Sequence, residues 1–259
     1  MYQFEDDSLM LQNDLYQINM AESYWNDGIH ERIAVFDLYF RKMPFNSGYA
    51  VFNGLKRVVN FIENFGFTNE DITYLKSIGY EEDFLNYLKD LKFTGNIKSM
   101  QEGEICFGNE PLLRVEAPLI QAQLIETILL NIINFQTLIA TKASRIRQIA
   151  THDTLMEFGT RRAQEIDAAL WGARAAFIGG FDSTSNVRAG KLFNIPVSGT
   201  HAHALVQTYG DEYIAFKKYA ERHKNCVFLV DTFHTLKSGV PTAIKVAKEL
   251  GDTINFIGI

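Results

Sequence analysis

Residues able to do chemistry follow four of the predicted strands, at the point where each strand ends. These segments are EFGTR at 157–161, DSTSN at 182–186, SGTHAH at 198–203 and DT at 231–232. The carboxyl ends of parallel strands converge on one rim of a β/α barrel, and that rim holds the active site, so the four segments predict a shared site. Ordinary turns and helix caps also use Ser, Thr and Asp. Four such ends in succession, with arginine and histidine among them, favour a site.

Two histidines, His201 and His203, lie in the most specific of these segments. It is PVSGTHAHALV, residues 196–206, in which Gly199 and Thr200 make a tight turn between a strand and the next helix. A histidine at the start of that helix can serve as an acid, a base or a phosphate acceptor. The alternatives are polar residues of a surface turn, or a pair of metal ligands. Histidines two positions apart do not share a helical face, so metal binding ranks below phosphoryl chemistry.

A regular alternation of strands and helices after Pro118 must position these segments. Apolar periodicity predicts a helix over residues 119–150. The predicted strands that follow it are residues 155–158, 176–181, 195–198, 226–230 and 254–259. Strands that alternate with helices are typical of a parallel sheet, and their nearly continuous apolar character fits burial on both faces.

The predicted fold is therefore α/β in two parts. Residues 1–117 mix helices with short strands and are expected to form an α+β N-terminal domain, and residues 118–259 are expected to form a parallel (TIM-like) β/α barrel. A closed barrel of this type has about eight strands, which is more than the sequence predicts here. The last predicted strand ends the chain with no helix to cover it, and an open apolar edge invites unwanted pairing. We therefore expect the barrel to be incomplete, or truncated, at its C-terminus.

Composition and charge exclude several classes of protein. The 259 residues are 47% hydrophobic and carry a net charge of −6, which is normal for a globular protein and argues against a general nucleic-acid binder. Cys106 and Cys226 lie in apolar runs and are expected to be buried thiols rather than a disulfide framework. The longest apolar run, 124–139, is interrupted by Glu126 and Asn131, so no membrane span is expected. No signal peptide is recognisable, and a cytoplasmic location is the default.

A set of short motifs runs along the chain in a fixed order. They are NDLYQ at 13–17, RKMPF at 41–45, FNGL at 52–55, EAPLIQAQLIET at 116–127, EFGTRRAQ at 157–164, FDSTSNVRAG at 181–190, GTHAH at 199–203 and DTFHTLKSGVP at 231–241. Together they resemble the nicotinate phosphoribosyltransferases, which are close kin of the nicotinamide and quinolinate phosphoribosyltransferases. The resemblance implies the type II phosphoribosyltransferase architecture, an α/β N-terminal domain followed by an irregular α/β barrel. It also implies a homodimer with shared active sites.

The resemblance implies a reaction as well. Such an enzyme joins nicotinate to phosphoribosyl pyrophosphate and releases nicotinate mononucleotide and pyrophosphate, the first step of NAD salvage from nicotinate. The pyridine nitrogen displaces pyrophosphate from C1 of the ribose, and the protein positions the two reactants while Mg²⁺ and cations stabilise the leaving group. ATP is implied as a co-substrate whose hydrolysis is coupled to synthesis through a phosphohistidine.

Roles of the family's residues carry over onto the matching positions. In GTHAH, the resemblance makes His203 the histidine that ATP phosphorylates and Thr200 a contact to nicotinate. Tyr16 of NDLYQ matches a tyrosine that stacks on the pyridine ring from the partner subunit. Phe158 of EFGTRR matches the aromatic residue on the other face of the ring. Core packing is the alternative for both aromatic residues.

Charged residues complete the site that the resemblance implies. Arg161 matches a basic residue near the base and phosphate, where a fork of donors suits a carboxylate or phosphate. Asp182 and Asp231 match acidic residues near the base and the ribose–magnesium region, and helix capping is the alternative for both. Arg145 and Lys142 are candidates for phosphate binding, or equally part of a solvated helix face. No residue is assigned directly to a metal.

Two features depart from the family pattern, and other functions compete with it. His234 stands where the family often has aspartate, and the alternatives are a change of metal contacts or a position that simply varies. The family continues past residue 259 into an R-x-D-S-G motif and a glycine-rich phosphate-binding segment, so we expect this chain to be an N-terminal portion. The rivals are a nicotinamide-specific relative, a barrel enzyme that uses Glu157, Asp182 and Asp231 for acid/base or metal chemistry, and a non-catalytic fragment that supplies only a dimerisation or scaffold surface.

Overall fold

A computed structural model describes residues 9–223, 225–253 and 255–258 of the chain. The chain divides into two units, Met1–Pro196 and Val197–Ile259. The predicted domain division between residues 117 and 118 lies inside the first unit and stays a prediction.

An antiparallel sheet organises the beginning of the first unit. Its elements in chain order are α1 (Leu15–Asn26), β1 (Ile33–Leu38), β2 (Ala50–Val51), α2 (Leu55–Glu63), α3 (Asn69–Ser77), α4 (Glu82–Asp90), β3 (Asn96–Ser99), β4 (Ile105–Cys106) and β5 (Leu113–Pro118). β5 pairs with both β1 and β3, and β2 pairs with β4. Along β5 the residues alternate between buried and exposed, so one face of this sheet packs on the core.

A glycine separates the helices α3 and α4. α3 begins at a capping box, in which Thr68 and Asp71 exchange side-chain to backbone hydrogen bonds. It ends before Gly79, whose φ of +106° lies in the left-handed region that glycine adopts without strain. The chain therefore turns, and α4 starts three residues later.

The helix α5 (Leu119–Ile149) is the central element of the first unit. By length and composition alone it passes the test for a membrane-crossing helix, with an 18-residue stretch of mean hydropathy 1.5, whereas the sequence predicts no membrane span. However, 56% of that stretch is buried inside the protein. Its apolar side chains pack with α1, the antiparallel sheet and the following helix α6 (Glu165–Ile178), as in the core helix of a folded domain.

The expected parallel pairing appears after α5. The elements here are β6 (Met156–Glu157), α6, β7 (Ser183–Thr184) and α7 (Val187–Phe193). β6 and β7 pair in parallel. The predicted strand over residues 176–181 is wrong, because its first residues end the alanine-rich helix α6. Residues 195–198, predicted as a strand, form only an isolated bridge at Val197. The amide of Thr184 donates a hydrogen bond to the carbonyl oxygen of the neighbouring Pro196.

Two close contacts hold α6 in place. At Gly179 an added Cβ would lie 2.4 Å from the Ala140 carbonyl oxygen of α5, so only glycine permits this approach. Arg174 of α6 binds both carboxylate oxygens of Glu102, at 2.6 and 3.0 Å, and the Gly54 amide donates to the same carboxylate. Burial raises the pKa of Glu102, but Arg174 and the amides at the start of α2 outweigh it and hold that pKa below its ordinary value.

The second unit repeats the α/β pattern. Its elements are α8 (His203–Tyr209), α9 (Glu212–Ala220), β8 (Asn225–Val227), a π-helical turn (Thr235–Gly239), α10 (Val240–Leu250) and β9 (Asn255–Gly258). β8 and β9 pair in parallel. Phe216 of α9 stacks on Phe228 with 4.7 Å between ring centroids, and Val206 and Val246 complete this small core.

Candidate active site

The GTHAH segment forms hydrogen bonds with residues at the end of β8 and just after it. The hydroxyl of Thr200 donates a hydrogen bond of 2.8 Å to the carbonyl oxygen of Val227. The amide of Leu229 donates to Nε2 of His201 at 3.3 Å. Thr200 is therefore engaged through its hydroxyl with the protein itself. The surface-turn alternative fails for His201, which is only 9% exposed.

His203 has the opposite environment, although it lies two residues away. It is the first residue of α8, and 49% of its side chain is exposed. Its Nδ1 atom lies 3.2 Å from the hydroxyl oxygen of Thr232. Its Nε2 atom lies 3.8 Å from Oδ1 of Asp231, which is beyond hydrogen-bond distance. The structure thus brings together two of the predicted residues, His203 and Asp231, and adds Thr232.

His234 caps the π-helical turn that follows Asp231. Its Nδ1 atom accepts a hydrogen bond of 3.2 Å from the amide of Lys237. An aspartate can cap a helical turn in the same way, so the imidazole fulfils a structural role that the usual residue would also perform. Close packing of Gly239 supports the turn, because a Cβ there would lie 1.8 Å from the carbonyl oxygen of Val230.

Phe158 lies on the turn after β6 and is 43% exposed, so it is not a core residue. The preceding residue, Glu157, is occupied with local structure. Its carboxylate accepts hydrogen bonds from the hydroxyl of Thr184, at 2.7 Å, and from the amide of Gly159. These bonds fix the turn that presents the phenyl ring, and they leave Glu157 poorly suited to serve as a free acid or base.

Arg161 follows on a 3₁₀ turn, Thr160–Arg162, and is exposed. Within the described residues its guanidinium has no carboxylate partner. A cleft of about 340 Å³ opens beside this turn, with Thr160, Glu165 and Asn186 in its lining. An exposed cation next to a cleft is available to an anionic ligand.

Asp182 is held by hydrogen bonds from the backbone and from an arginine. One carboxylate oxygen accepts from the Leu155 amide at 2.7 Å and from Arg147 at 2.5 Å. The Leu155 amide and the Arg147 guanidinium hold the pKa of Asp182 below its ordinary value. Arg147 also donates to the carbonyl oxygens of Gly180, Ala150 and Asp153. The carboxylate therefore ties α5 to β6 and β7.

Tyr16 projects from α1 with half of its surface exposed, so the core-packing alternative is wrong for this residue as well. Its hydroxyl oxygen accepts a hydrogen bond of 3.0 Å from Gln17. Gln17 is fully buried and also binds Gln123 and Glu126 of α5. A buried polar network thus contacts the hydroxyl of an exposed aromatic side chain.

Arg145 and Lys142 both lie exposed on α5. Arg145 donates to the carbonyl oxygen of Phe45 at 3.3 Å, a contact that leaves most of the guanidinium free. Among the described residues, no three His, Cys, Asp or Glu side chains are grouped in a way that would hold a metal ion.

Comparison with known proteins shows which family the chain resembles. The family model for the nicotinate phosphoribosyltransferase (NAPRTase) N-terminal domain matches residues 11–134. Nicotinate phosphoribosyltransferase of Bacillus subtilis (strain 168) is 68% identical over 259 residues, which are 100% of this chain and 53% of that protein. The chain belongs to the nicotinate phosphoribosyltransferase family.

Other members of the family and their structures agree. Nicotinate phosphoribosyltransferase of Dictyostelium discoideum is 40% identical over 93% of this chain and 48% of that protein. The crystal structure of human nicotinic acid phosphoribosyltransferase is 31% identical, with a TM-score of 0.85 over 95% of this chain and 60% of that one. Nicotinate-nucleotide pyrophosphorylase from Pyrococcus furiosus matches with a TM-score of 0.79, 26% identity and coverage of 98% and 59%. The chain thus shares the type II phosphoribosyltransferase architecture, and it spans about half the length of the curated relatives it matches.

Three contacts of this family member escape the sequence reasoning. Thr232 belongs to the DT segment that follows a predicted strand, but nothing in the sequence indicates its contact with His203. Arg147 is 35 positions from Asp182, and nothing local indicates their pairing. His201 is buried by Phe216 and Tyr219, which lie on α9, 15 and 18 positions along the chain. The convergence of all four strand ends on one rim stays a prediction, because the segments belong to two different units.

Proposed function

We propose that the protein is a nicotinate phosphoribosyltransferase, which makes nicotinate mononucleotide and pyrophosphate from nicotinate and phosphoribosyl pyrophosphate. We further propose that ATP hydrolysis drives this synthesis through phosphorylation of His203. The observation that carries the proposal is the environment of His203, a half-exposed imidazole whose nitrogens face a hydroxyl and a carboxylate. Family membership supports the proposed transferase reaction, and the geometry around His203 supports its role as the phosphorylated residue.

The phosphoryl step requires a nitrogen lone pair. When Nδ1 carries the proton and donates it to Thr232, Nε2 is left unprotonated and half exposed. Nε2 then attacks the γ-phosphorus of ATP, the bond from that phosphorus to the bridging oxygen breaks, and ADP leaves with the electron pair. The product is a phosphohistidine that carries about two negative charges beside Asp231.

Asp231 makes this step dependent on a cation. Its carboxylate lies 3.8 Å from Nε2 and would repel an incoming phosphate. Carboxylate oxygens are ligands that Mg²⁺ prefers, and Mg²⁺ usually takes only one or two of them besides waters and substrate phosphates. Asp231 fits that pattern, because its side chain is 58% exposed. Mg²⁺ held there would neutralise phosphate charge; the chain itself provides the carboxylate and orients the imidazole.

Exposed aromatic and cationic groups of the first unit supply the binding of nicotinate. Tyr16 and Phe158 each present a free ring face, and offset stacking suits the electron-poor pyridine. Arg161 provides a guanidinium for a carboxylate or phosphate. Tyr16 acts from the partner in a homodimer with shared sites. The parallel β/α segments form part of an irregular barrel that gathers these groups at its rim.

The experiment follows γ-³²P from ATP into the intact protein and measures nucleotide formation from nicotinate or nicotinamide. We expect His203→Ala to abolish labelling and stimulation by ATP while some basal transfer to nicotinate remains. His223→Ala, which removes another exposed histidine of the second unit, is the control and should label normally. Full labelling of His203→Ala would refute the phosphohistidine, and a preference for nicotinamide would refute the substrate.

A further inference from the structure

His201 is enclosed by aromatic rings in the second unit. Its imidazole centroid lies 5.0 Å from Tyr219, 5.5 Å from Phe216 and 6.2 Å from Phe228. Such a pocket disfavours a charged imidazole, and burial is the main reason that the pKa of His201 lies below its ordinary value, with the neighbouring His203 contributing in the same direction.

The hydrogen bonds of His201 require one neutral tautomer. Because the Leu229 amide donates to Nε2, that nitrogen must be unprotonated, and the proton belongs on Nδ1. The carbonyl oxygen of Ala202 lies 3.4 Å from Nδ1 and is placed to accept it. A protonated ring would direct two N–H groups at each other, one from His201 and one from Leu229.

The bond to Leu229 connects the two segments of the proposed phosphorylation site. His203 follows His201 by two residues, and Asp231 follows Leu229 by two residues. Thr200, with its bond to the Val227 carbonyl, makes a second connection between the same segments. The distances from His203 to Asp231 and Thr232 therefore depend on how these two connections hold the GTHAH segment.

We propose that His201 is a positioning residue, a neutral imidazole whose bond to the Leu229 amide sets His203 against Asp231 and Thr232. This inference rests on the proposed phosphorylation of His203. It also implies acid sensitivity, since protonation of His201 breaks the bond. The titratable groups that face His201 are Tyr219 on α9 and His203 on its own segment, with His223 and Cys226 adjoining Tyr219.

Two variants of the intact protein separate the hydrogen bond from the packing. His201→Phe keeps a ring in the aromatic pocket and removes the acceptor, while His201→Gln keeps an acceptor near the position of Nε2 and cannot titrate. We expect His201→Phe to slow phosphorylation of His203 by about tenfold, which corresponds to about 1.4 kcal/mol. His201→Gln should remain within about threefold of the native rate, by the same relation. It should also lose rate less steeply than the native protein as the pH falls below about 6.5, the ordinary pKa of histidine.

A second measurement does not depend on phosphoryl transfer. Imidazole ¹⁵N resonances of the unphosphorylated protein report the tautomer of His201 and the environment of His203. We expect the His203 resonances to shift in His201→Phe and to stay close to native in His201→Gln. Equal phosphorylation rates in native protein and His201→Phe, or His203 resonances that neither variant moves, would overturn the positioning role. If the native protein is not phosphorylated, the proposed function fails, and the resonances alone decide the role of His201.

Discussion

Nδ1 of His203 and the hydroxyl oxygen of Thr232 lie 3.2 Å apart, although the two residues are 29 positions apart in the sequence. A threonine hydroxyl can accept a hydrogen bond from a protonated Nδ1, and this arrangement restrains the ring and leaves Nε2 free to react.

Thr232→Val removes the hydroxyl at nearly constant volume. We expect phosphorylation of His203 to slow by about three- to tenfold, because a neutral hydrogen bond is worth about 0.5–1.5 kcal/mol. Single-turnover labelling with ATP measures the rate. Thr208→Val is the matched control, since that hydroxyl donates to the Ala204 carbonyl within α8 and does not approach His203. An unchanged rate in Thr232→Val would show that the hydroxyl does not orient the ring.

Tyr16 offers a test of stacking in the proposed nicotinate site. We expect Tyr16→Leu to raise KM for nicotinate by about tenfold, and Tyr16→Phe to stay near native, because aromatic stacking is worth about 0.5–1.5 kcal/mol and needs only the ring. Tyr74→Leu, at another exposed tyrosine, is the control and should leave KM unchanged. A native KM in Tyr16→Leu would exclude the ring from the site.

The Asp182→Asn variant distinguishes a structural role of this carboxylate from a catalytic one. The pKa of Asp182 is lowered in the folded protein, so its carboxylate stabilises the fold above the unfolded-state value of about 3.9, and that contribution is lost as the pH falls through the folded-state pKa. We expect a lower Tm for the variant at neutral pH and a difference from native that vanishes in acid. Thermal unfolding between about pH 3 and 7 measures it.

The control for this prediction is Asp153→Asn, an exposed carboxylate in the segment between α5 and β6. It should match the native Tm at each pH. The structural role would be contradicted if Asp182→Asn kept the native Tm and lost about 10²-fold or more in turnover, the loss expected for a general acid or base.

Strong periodicity and local chemistry account for what the sequence predicts correctly. The spacing of Leu124, Ile128 and Ile132 identifies α5 because one helical repeat continues along its whole length. The strand over residues 176–181 is predicted wrongly, because a short apolar run does not by itself distinguish a strand from the end of a buried helix. Here the alanines before it continue the helix, and the strand starts only after Gly179 and Gly180.

Side-chain environments in the site depend on distant residues. His201 and His203 differ by two positions and have the same side chain, yet one is buried and the other is half exposed. Phe216 and Tyr219 on α9 bury His201, and no pattern in the sequence around His201 predicts this burial. Asp182 was likewise predicted as a site residue from its place after a strand, whereas its pairing with Arg147 depends on tertiary structure.

The length of α5 bears on where Tyr16 can act. Glu126, which anchors the Tyr16 network, and Arg147, which anchors the turn near Phe158 through Asp182, are 21 positions apart on this helix. At 1.5 Å per residue they are separated by about 30 Å along its axis, several times the width of a pyridine ring. The helix thus serves as a spacer between the two aromatic residues of one polypeptide. If both rings stack on one nicotinate, as proposed, a separation of this size requires that they come from two copies of the chain.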